Sequence, residues 1–122
     1  WVVSGNKEYD ELTTTGKNYI IEIKNKKIKE LEIDPTIFGI QKSNKKDLTG
    51  GDSKENAEII KGILKGEISG PKKDIVLLNS ASALYINNKV KNIESGLEIV
   101  NKTILSGDGL KKLNDLIKLS NS

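Results

Sequence analysis

The sequence predicts an α/β chain: a short β-region holding one hairpin, then about four helices, in a single unit spanning residues 1–122. Three observations carry this reading. The chain opens on the apolar, β-prone run Trp1-Val2-Val3-Ser4. Two more such runs, residues 19–23 and 28–33, flank the polar stretch Lys24-Asn25-Lys26-Lys27, which is the pattern of a hairpin. Beyond Gly51, apolar residues recur every three or four positions, the period of helices with one inward face. A chain of 122 residues suits one domain, and at this size roughly two-thirds of the unfolded surface can be buried.

Taken in order, the first strand covers residues 1–4. The sequence holds no Met and starts at Trp1 with neither a signal nor a transit pattern. It reads as a fragment entered in mid-domain, so this strand is expected to be an orphan of a larger parallel sheet. The hairpin turn lacks Asn-Gly, which leaves its register open. Asp34-Pro35 stops the hairpin, because Pro cannot continue a ladder. A connector over residues 36–51 follows, anchored by Phe38. Asp52 caps the first helix with Glu55 as reciprocal partner. Ala57, Ile60, Ile63 and Leu64 face inward there, and Gly66 ends it. Pro71 suits the first turn of a second helix. Its residues Ile75, Val76, Leu77, Leu78, Ala81, Ala83 and Leu84 are apolar on most sides, so it is expected to be central and largely buried. A third helix shows Ile93, Leu97, Val100 and Ile104 on one face. Ser106 is the expected cap of a fourth, with Leu110, Leu113 and Ile117 inward.

Composition narrows the chemistry. There is no Cys and no His, which excludes disulfides, the usual zinc sites, Cys nucleophiles and His bases. All twenty cations are Lys, so no bidentate Arg grip on phosphate or carboxylate is available. The net charge of +3 comes from lysines interleaved with carboxylates, with only five aromatic residues in the chain. That is a solvated surface rather than a nucleic-acid platform. No apolar run approaches the ~20 residues a membrane span requires.

Three groups could carry function. Asp10-Glu11 lies just past the first strand and Gly5. Adjacent carboxylates can hold a hard cation such as Mg²⁺, which keeps several waters and bridges to substrate phosphates. Neighbouring side chains of a strand point to opposite faces, so both can serve one ion only where the backbone turns, or where one acts through water. Gly50-Gly51-Asp52 leads into a helix, where backbone N–H groups can bind phosphate; an Asp cap would instead fill those groups and repel an anion. Asn79, within the apolar helix, needs partners. It either ties loops to the helix or backs a site wall.

Together these segments resemble the anthranilate phosphoribosyltransferases. The resemblance runs through Val2-Val3-Ser4-Gly5, then Tyr9-Asp10-Glu11-Leu12-Thr13, then Asp34-Pro35-Thr36-Ile37-Phe38-Gly39. It continues with Leu48, Gly50-Gly51-Asp52 and Glu55-Asn56-Ala57, the helix Leu77-Leu78-Asn79-Ser80-Ala81-Ser82-Ala83-Leu84-Tyr85, Gly96, and Ser106-Gly107. Order and spacing match over essentially the whole chain. Two positions depart: Ser4 stands where His is frequent, and Glu8-Tyr9 replaces a Gly-Leu step.

The resemblance implies the C-terminal part of the nucleoside phosphorylase/phosphoribosyltransferase fold, without the donor-binding half and the helical dimerisation domain. It implies a cytoplasmic transferase of tryptophan biosynthesis that moves a phosphoribosyl group from phosphoribosyl pyrophosphate to anthranilate. Asp10 and Glu11 would hold its Mg²⁺, and the parent would be a homodimer with no nucleic-acid or membrane partner. No catalytic residue is assigned within this chain, and the fragment alone is expected to be inactive. The alternatives are a relative of the pyrimidine-nucleoside phosphorylases, which would use free phosphate and need no acidic pair, and a non-catalytic binding module.

Overall fold

The computed structural model describes residues 1–121. Three strands form an antiparallel sheet in the order β1 (Val2–Gly5), β2 (Asn18–Lys24), β3 (Lys27–Ile33). The hairpin is closed by the two residues Asn25 and Lys26, with φ of 52° and 62°. Two consecutive left-handed residues make the mirror-image turn whose twist matches that of the flanking strands. Asn adopts this conformation readily, and Lys26 is carried into it by the ladder on either side. The register runs from Lys24↔Lys27 to Asn18↔Ile33.

The first strand is not the orphan that the sequence suggested. β1 pairs antiparallel with β2, from Val2↔Ile21 to Gly5↔Asn18. A second left-handed pair, Asn6 and Lys7 with φ of 48° and 60°, reverses the chain after Gly5 and lets residues 8–17 lead back alongside. The other edge of β1 carries no strand among the described residues.

Alternation along the strands sends Val3, Ile20, Leu31 and Ile33 to one face. They pack with Leu12, Ile40 and Leu78, with Trp1, Phe38 and Leu97 at the margin. Phe38 thus anchors the connector as expected. Burying a side chain such as Ile20 or Leu78, each at most 1% exposed, stabilises by about 1.5–3 kcal/mol. The opposite face of the sheet presents Val2, Ile21, Ile23 and Ile28 to solvent.

A 3-10 turn over Pro35–Phe38 follows the hairpin, its first turn held by the Asp34 carboxylate. The connector then contains α1 (Lys45–Leu48), a single helical turn with a capping box of Asn44 and Asp47. It adds one short helix to the four expected. The long helices are α2 (Ser53–Leu64), α3 (Pro71–Ile86), α4 (Ile93–Leu105) and α5 (Asp108–Ser120). Asp52 and Glu55 form the expected capping box of α2. Pro71 opens α3. The cap of α5 falls one residue later than expected, at Gly107, while Ser106 ends α4 and donates its hydroxyl to Asp108 at 2.7 Å.

α3 is central but less buried than its composition suggested. Leu78, Ala81 and Ser82 are buried, whereas Ile75, Val76, Leu77 and Leu84 are half-buried and Ala83 is exposed. Its closest partner is α4, which it meets at Ala81 and Gly96. A Cβ on Gly96 would lie 2.9 Å from the Ala81 carbonyl oxygen, so only glycine permits this separation of the two helices. No helix among the described residues is long and apolar enough to cross a membrane.

Candidate metal centre

The acidic pair sits on a loop whose shape follows from Gly5. Beyond β1 the chain reverses at Asn6-Lys7, and Glu8 and Tyr9 both donate their N–H to the Gly5 carbonyl at 2.9 Å. Gly5 in turn donates its own N–H to the Tyr9 carbonyl at 2.9 Å. The chain then crosses back over Gly5. A Cβ there would stand 2.3 Å from the Glu11 carbonyl oxygen. Glycine is required at this position by close approach, since its φ is not left-handed.

Asp10 and Glu11 occupy the bend that results, and both are exposed. The backbone is therefore turned where a shared site needs it to be, rather than extended. Neither carboxylate takes part in a hydrogen bond or ion pair among the described residues. The nearby cations are engaged elsewhere: Lys45 lies 3.7 Å from Glu8 and 6.0 Å from the Tyr9 ring centroid, and Lys7 covers the Tyr19 ring at 5.1 Å. The Tyr9 hydroxyl is buried without a partner, which costs about 1–3 kcal/mol at the entrance to this loop.

Behind the pair, three buried residues are tied down in succession. The side-chain amide of Asn79, on α3, brackets Leu12: Oδ1 accepts the Leu12 N–H at 3.0 Å and Nδ2 donates to the Leu12 carbonyl at 2.7 Å. Asn18, at the start of β2, does the same for Thr13, accepting its N–H at 2.7 Å and donating to its carbonyl at 3.0 Å. Ser43 donates its N–H to the Thr14 carbonyl at 3.0 Å, and the two hydroxyls share a hydrogen bond of 2.7 Å. Leu12, Thr13 and Thr14 are each at most 2% exposed. Unpaired backbone groups at such depth would be costly; the Asn79 and Asn18 side chains and the Ser43 backbone N–H supply the partners.

Asn79 therefore ties a loop to its helix, one of its two expected roles. Asn18 and Ser43 were not singled out from the sequence. The available signal was weak: an Asn opening an apolar strand, and the run Thr13-Thr14-Thr15 just before it.

Gly50-Gly51-Asp52 forms no anion cradle. The Glu55 N–H is taken by the Asp52 carboxylate at 2.8 Å, and the Asp52 N–H by Glu55 Oε2 at 3.0 Å. Asn56 accepts the Gly51 N–H at 2.9 Å, and Lys72 donates to the Thr49 carbonyl. The Gly51, Asp52 and Glu55 N–H groups are thus taken by the chain itself, as the Asp cap implied.

No group of three or more His, Cys, Asp or Glu that could hold a metal ion comes together among the described residues. Asp10 and Glu11 supply only oxygen donors, are free of internal partners and share a bent, anchored backbone. That donor set fits a hard, hydrated cation held jointly by protein and ligand, and does not fit an all-protein cage.

The family described as glycosyl transferase family, a/b domain, matches residues 1–110. An anthranilate phosphoribosyltransferase from Acetivibrio thermocellus is 42% identical over 121 residues, covering 99% of this chain and 35% of that protein. The anthranilate phosphoribosyltransferase of Saccharomyces cerevisiae, in complex with 4-fluoroanthranilate, superposes with a TM-score of 0.87 at 27% identity, covering 95% of this chain and 34% of that one. The same yeast enzyme in complex with PRPP and Mg gives a TM-score of 0.83 at 26% identity, over 92% of this chain and 32% of that one. The chain thus spans about one third of the length of the relatives it matches.

Proposed function

The chain belongs to the glycosyl transferase family, a/b domain, and from that membership we propose that it is the C-terminal part of an anthranilate phosphoribosyltransferase. The full-length enzyme joins the amino group of anthranilate to C1 of phosphoribosyl pyrophosphate, forming a C–N bond while the C1–O bond to pyrophosphate breaks. It acts in tryptophan biosynthesis, in the cytoplasm, as a homodimer. The observation that carries this reading is the bend at Asp10-Glu11, with two partner-free carboxylates seated on an anchored segment.

In this role Asp10 and Glu11 bind Mg²⁺, partly through water. The bound ion supplies neutralisation of the charge that develops on the pyrophosphate leaving group. Two carboxylates are too few to strip Mg²⁺ of its water, so Asp10 and Glu11 would hold it only together with the donor's phosphates. The two side chains are exposed and unpaired in the fold, which leaves them free to face a ligand at little conformational cost. The buried, hydrogen-bonded Leu12, Thr13 and Thr14 hold the backbone from which they project. The Mg- and PRPP-bound yeast relative and the 4-fluoroanthranilate-bound one support the choice of donor, metal and acceptor. A phosphorylase would need no such acidic pair, and a binding module gives it no task.

The test is Asp10→Asn and Glu11→Gln in the full-length protein, with turnover followed by loss of anthranilate fluorescence against Mg²⁺ concentration. Each should lower turnover at least tenfold and raise the Mg²⁺ requirement, while the melting temperature stays within about 2 °C, as for exposed sites. Unchanged turnover and metal dependence would reduce the pair to surface acids and remove the metal centre from this chain.

A further inference from the structure

We propose that Asn79 is a positioning residue for the acidic pair, acting through the backbone of Leu12, the residue that follows Glu11; this rests on the metal-binding reading of Asp10 and Glu11. Both Nδ2 hydrogens of Asn79 are committed within the fold, and its Oδ1 is engaged by the loop. Its Oδ1 accepts from Leu12 N–H, and its Nδ2 hydrogens go to the carbonyls of Leu12 at 2.7 Å and Ile75 at 3.0 Å. The pattern fixes the amide: exchange of Oδ1 and Nδ2 would set donor against donor and acceptor against acceptor. Asn79 is thereby locked to its own helix by Ile75 and to the loop by Leu12. It transmits the position of α3 to the bend one residue away. The Asn18 and Ser43 ties hold Thr13 and Thr14, further from the carboxylates. Among the three, Asn79 is the tie adjacent to Glu11 and the only one that comes from a helix.

A carboxylate pair that binds a cation together with substrate phosphates depends on direction as much as on charge, since Mg²⁺ demands near-octahedral geometry. Partners that orient metal ligands without touching the metal change affinity by about 10–100-fold when removed. Asn79 acts one step further out, through the peptide that follows Glu11 rather than through a carboxylate. Neither Asp nor Leu at this position can replace it. Leu matches its size but leaves both Leu12 groups unpaired. Asp keeps an acceptor for the Leu12 N–H but opposes a charge to two carbonyl oxygens.

The experiment is carried out on the full-length enzyme with Asn79→Leu and Asn79→Asp, beside Asp10→Asn and a stability control, Ile104→Ala. Ile104 is 4% exposed on α4 and makes no bond to the loop. Half-saturating Mg²⁺ for turnover should rise about tenfold for both Asn79 variants, while Ile104→Ala lowers the melting temperature without moving it. A Mg²⁺ requirement for the Asn79 variants equal to that of Ile104→Ala overturns the proposal while leaving the metal centre intact, provided Asp10→Asn shifts. No shift for Asp10→Asn overturns both. Should neither Asn79 variant fold, native-state hydrogen exchange of the unmodified protein decides. The Leu12 amide and the Asn79 side-chain amide should be protected to a similar degree, and exchange of either at the rate of an exposed loop amide refutes the tie.

Discussion

Replacing Gly96 by Ala should destabilise the chain, while the same replacement at Gly109 should stabilise it. Both glycines lie in helices, so each substitution gains intrinsic helix propensity, up to about 1 kcal/mol in a helix interior. They differ in what the new methyl group meets. At Gly96 it would stand 2.9 Å from the Ala81 carbonyl oxygen and 3.0 Å from both Cα and Cβ of Ala81. Two of these atoms are backbone and none can rotate away, so α3 and α4 must separate by about 0.5 Å. Overpacking of this kind costs about 1–3 kcal/mol, and the separation also loosens contacts along the whole helix pair. The net result should be a loss of about 1–2 kcal/mol, or roughly 5 °C in melting temperature. At Gly109 the only close atom is Leu64 Cδ2 at 3.0 Å, the end of a side chain with rotamers to spare. There the propensity gain survives, reduced to about 0.5 kcal/mol because the position lies in the first turn. Urea unfolding followed by far-UV circular dichroism measures both. A Gly96→Ala protein as stable as the parent would mean that the two helices are not held at the described separation, and the close-approach argument would fall.

Lys26→Gly should stabilise the hairpin by about 1 kcal/mol, since it converts a strained left-handed Lys into the Asn-Gly turn; urea midpoints check it, and a loss of stability would contradict the described turn. The Asp34 carboxylate accepts from the Thr36 hydroxyl at 2.7 Å and the Thr36 N–H at 3.0 Å, and these bonds hold its pKa below the ordinary 3.8. In this window the unfolded chain binds the proton first, so the contribution is present above about pH 3.8 and is lost as the pH falls through the folded value. Asp34→Ala should flatten the acid limb of the stability profile, and an unchanged limb would show that the Thr36 bonds contribute nothing. The isolated chain, spanning about 35% of its relatives' length, should give no loss of anthranilate fluorescence with donor and Mg²⁺. Turnover at the rate of an intact homologue would refute its assignment as a part of the enzyme.

Local signals in this sequence were legible to the extent that their causes are local. The Asp52–Glu55 box, Pro71 at a helix start and the two β-runs around residues 24–27 depend on neighbours within a few positions, and each appears where its residues place it. What failed depends on the rest of the fold. Burial of α3 could not be read from its composition, because apolar residues on every side say nothing about how many sides are covered. The pairing of β1 with β2 turned on Asn6 and Lys7 both entering the left-handed region, which Asn tolerates but Lys7 does not announce. The bend at Asp10-Glu11 was posed as a geometric requirement and is present. Its anchors, Asn18 and Ser43, are ordinary polar residues whose importance exists only once Thr13 and Thr14 are buried.

The three ties beneath the acidic pair span very different lengths of chain: 5 residues from Thr13 to Asn18, 29 from Thr14 to Ser43 and 67 from Leu12 to Asn79. Closing the longest costs about 2 kcal/mol more chain entropy than closing the shortest. The Leu12–Asn79 tie is therefore the one that needs most of the chain in place, since it exists only while α3 is docked on the loop. The residue next to the carboxylates is held by the longest-range of the three contacts, and the local tie at Thr13 does not substitute for it.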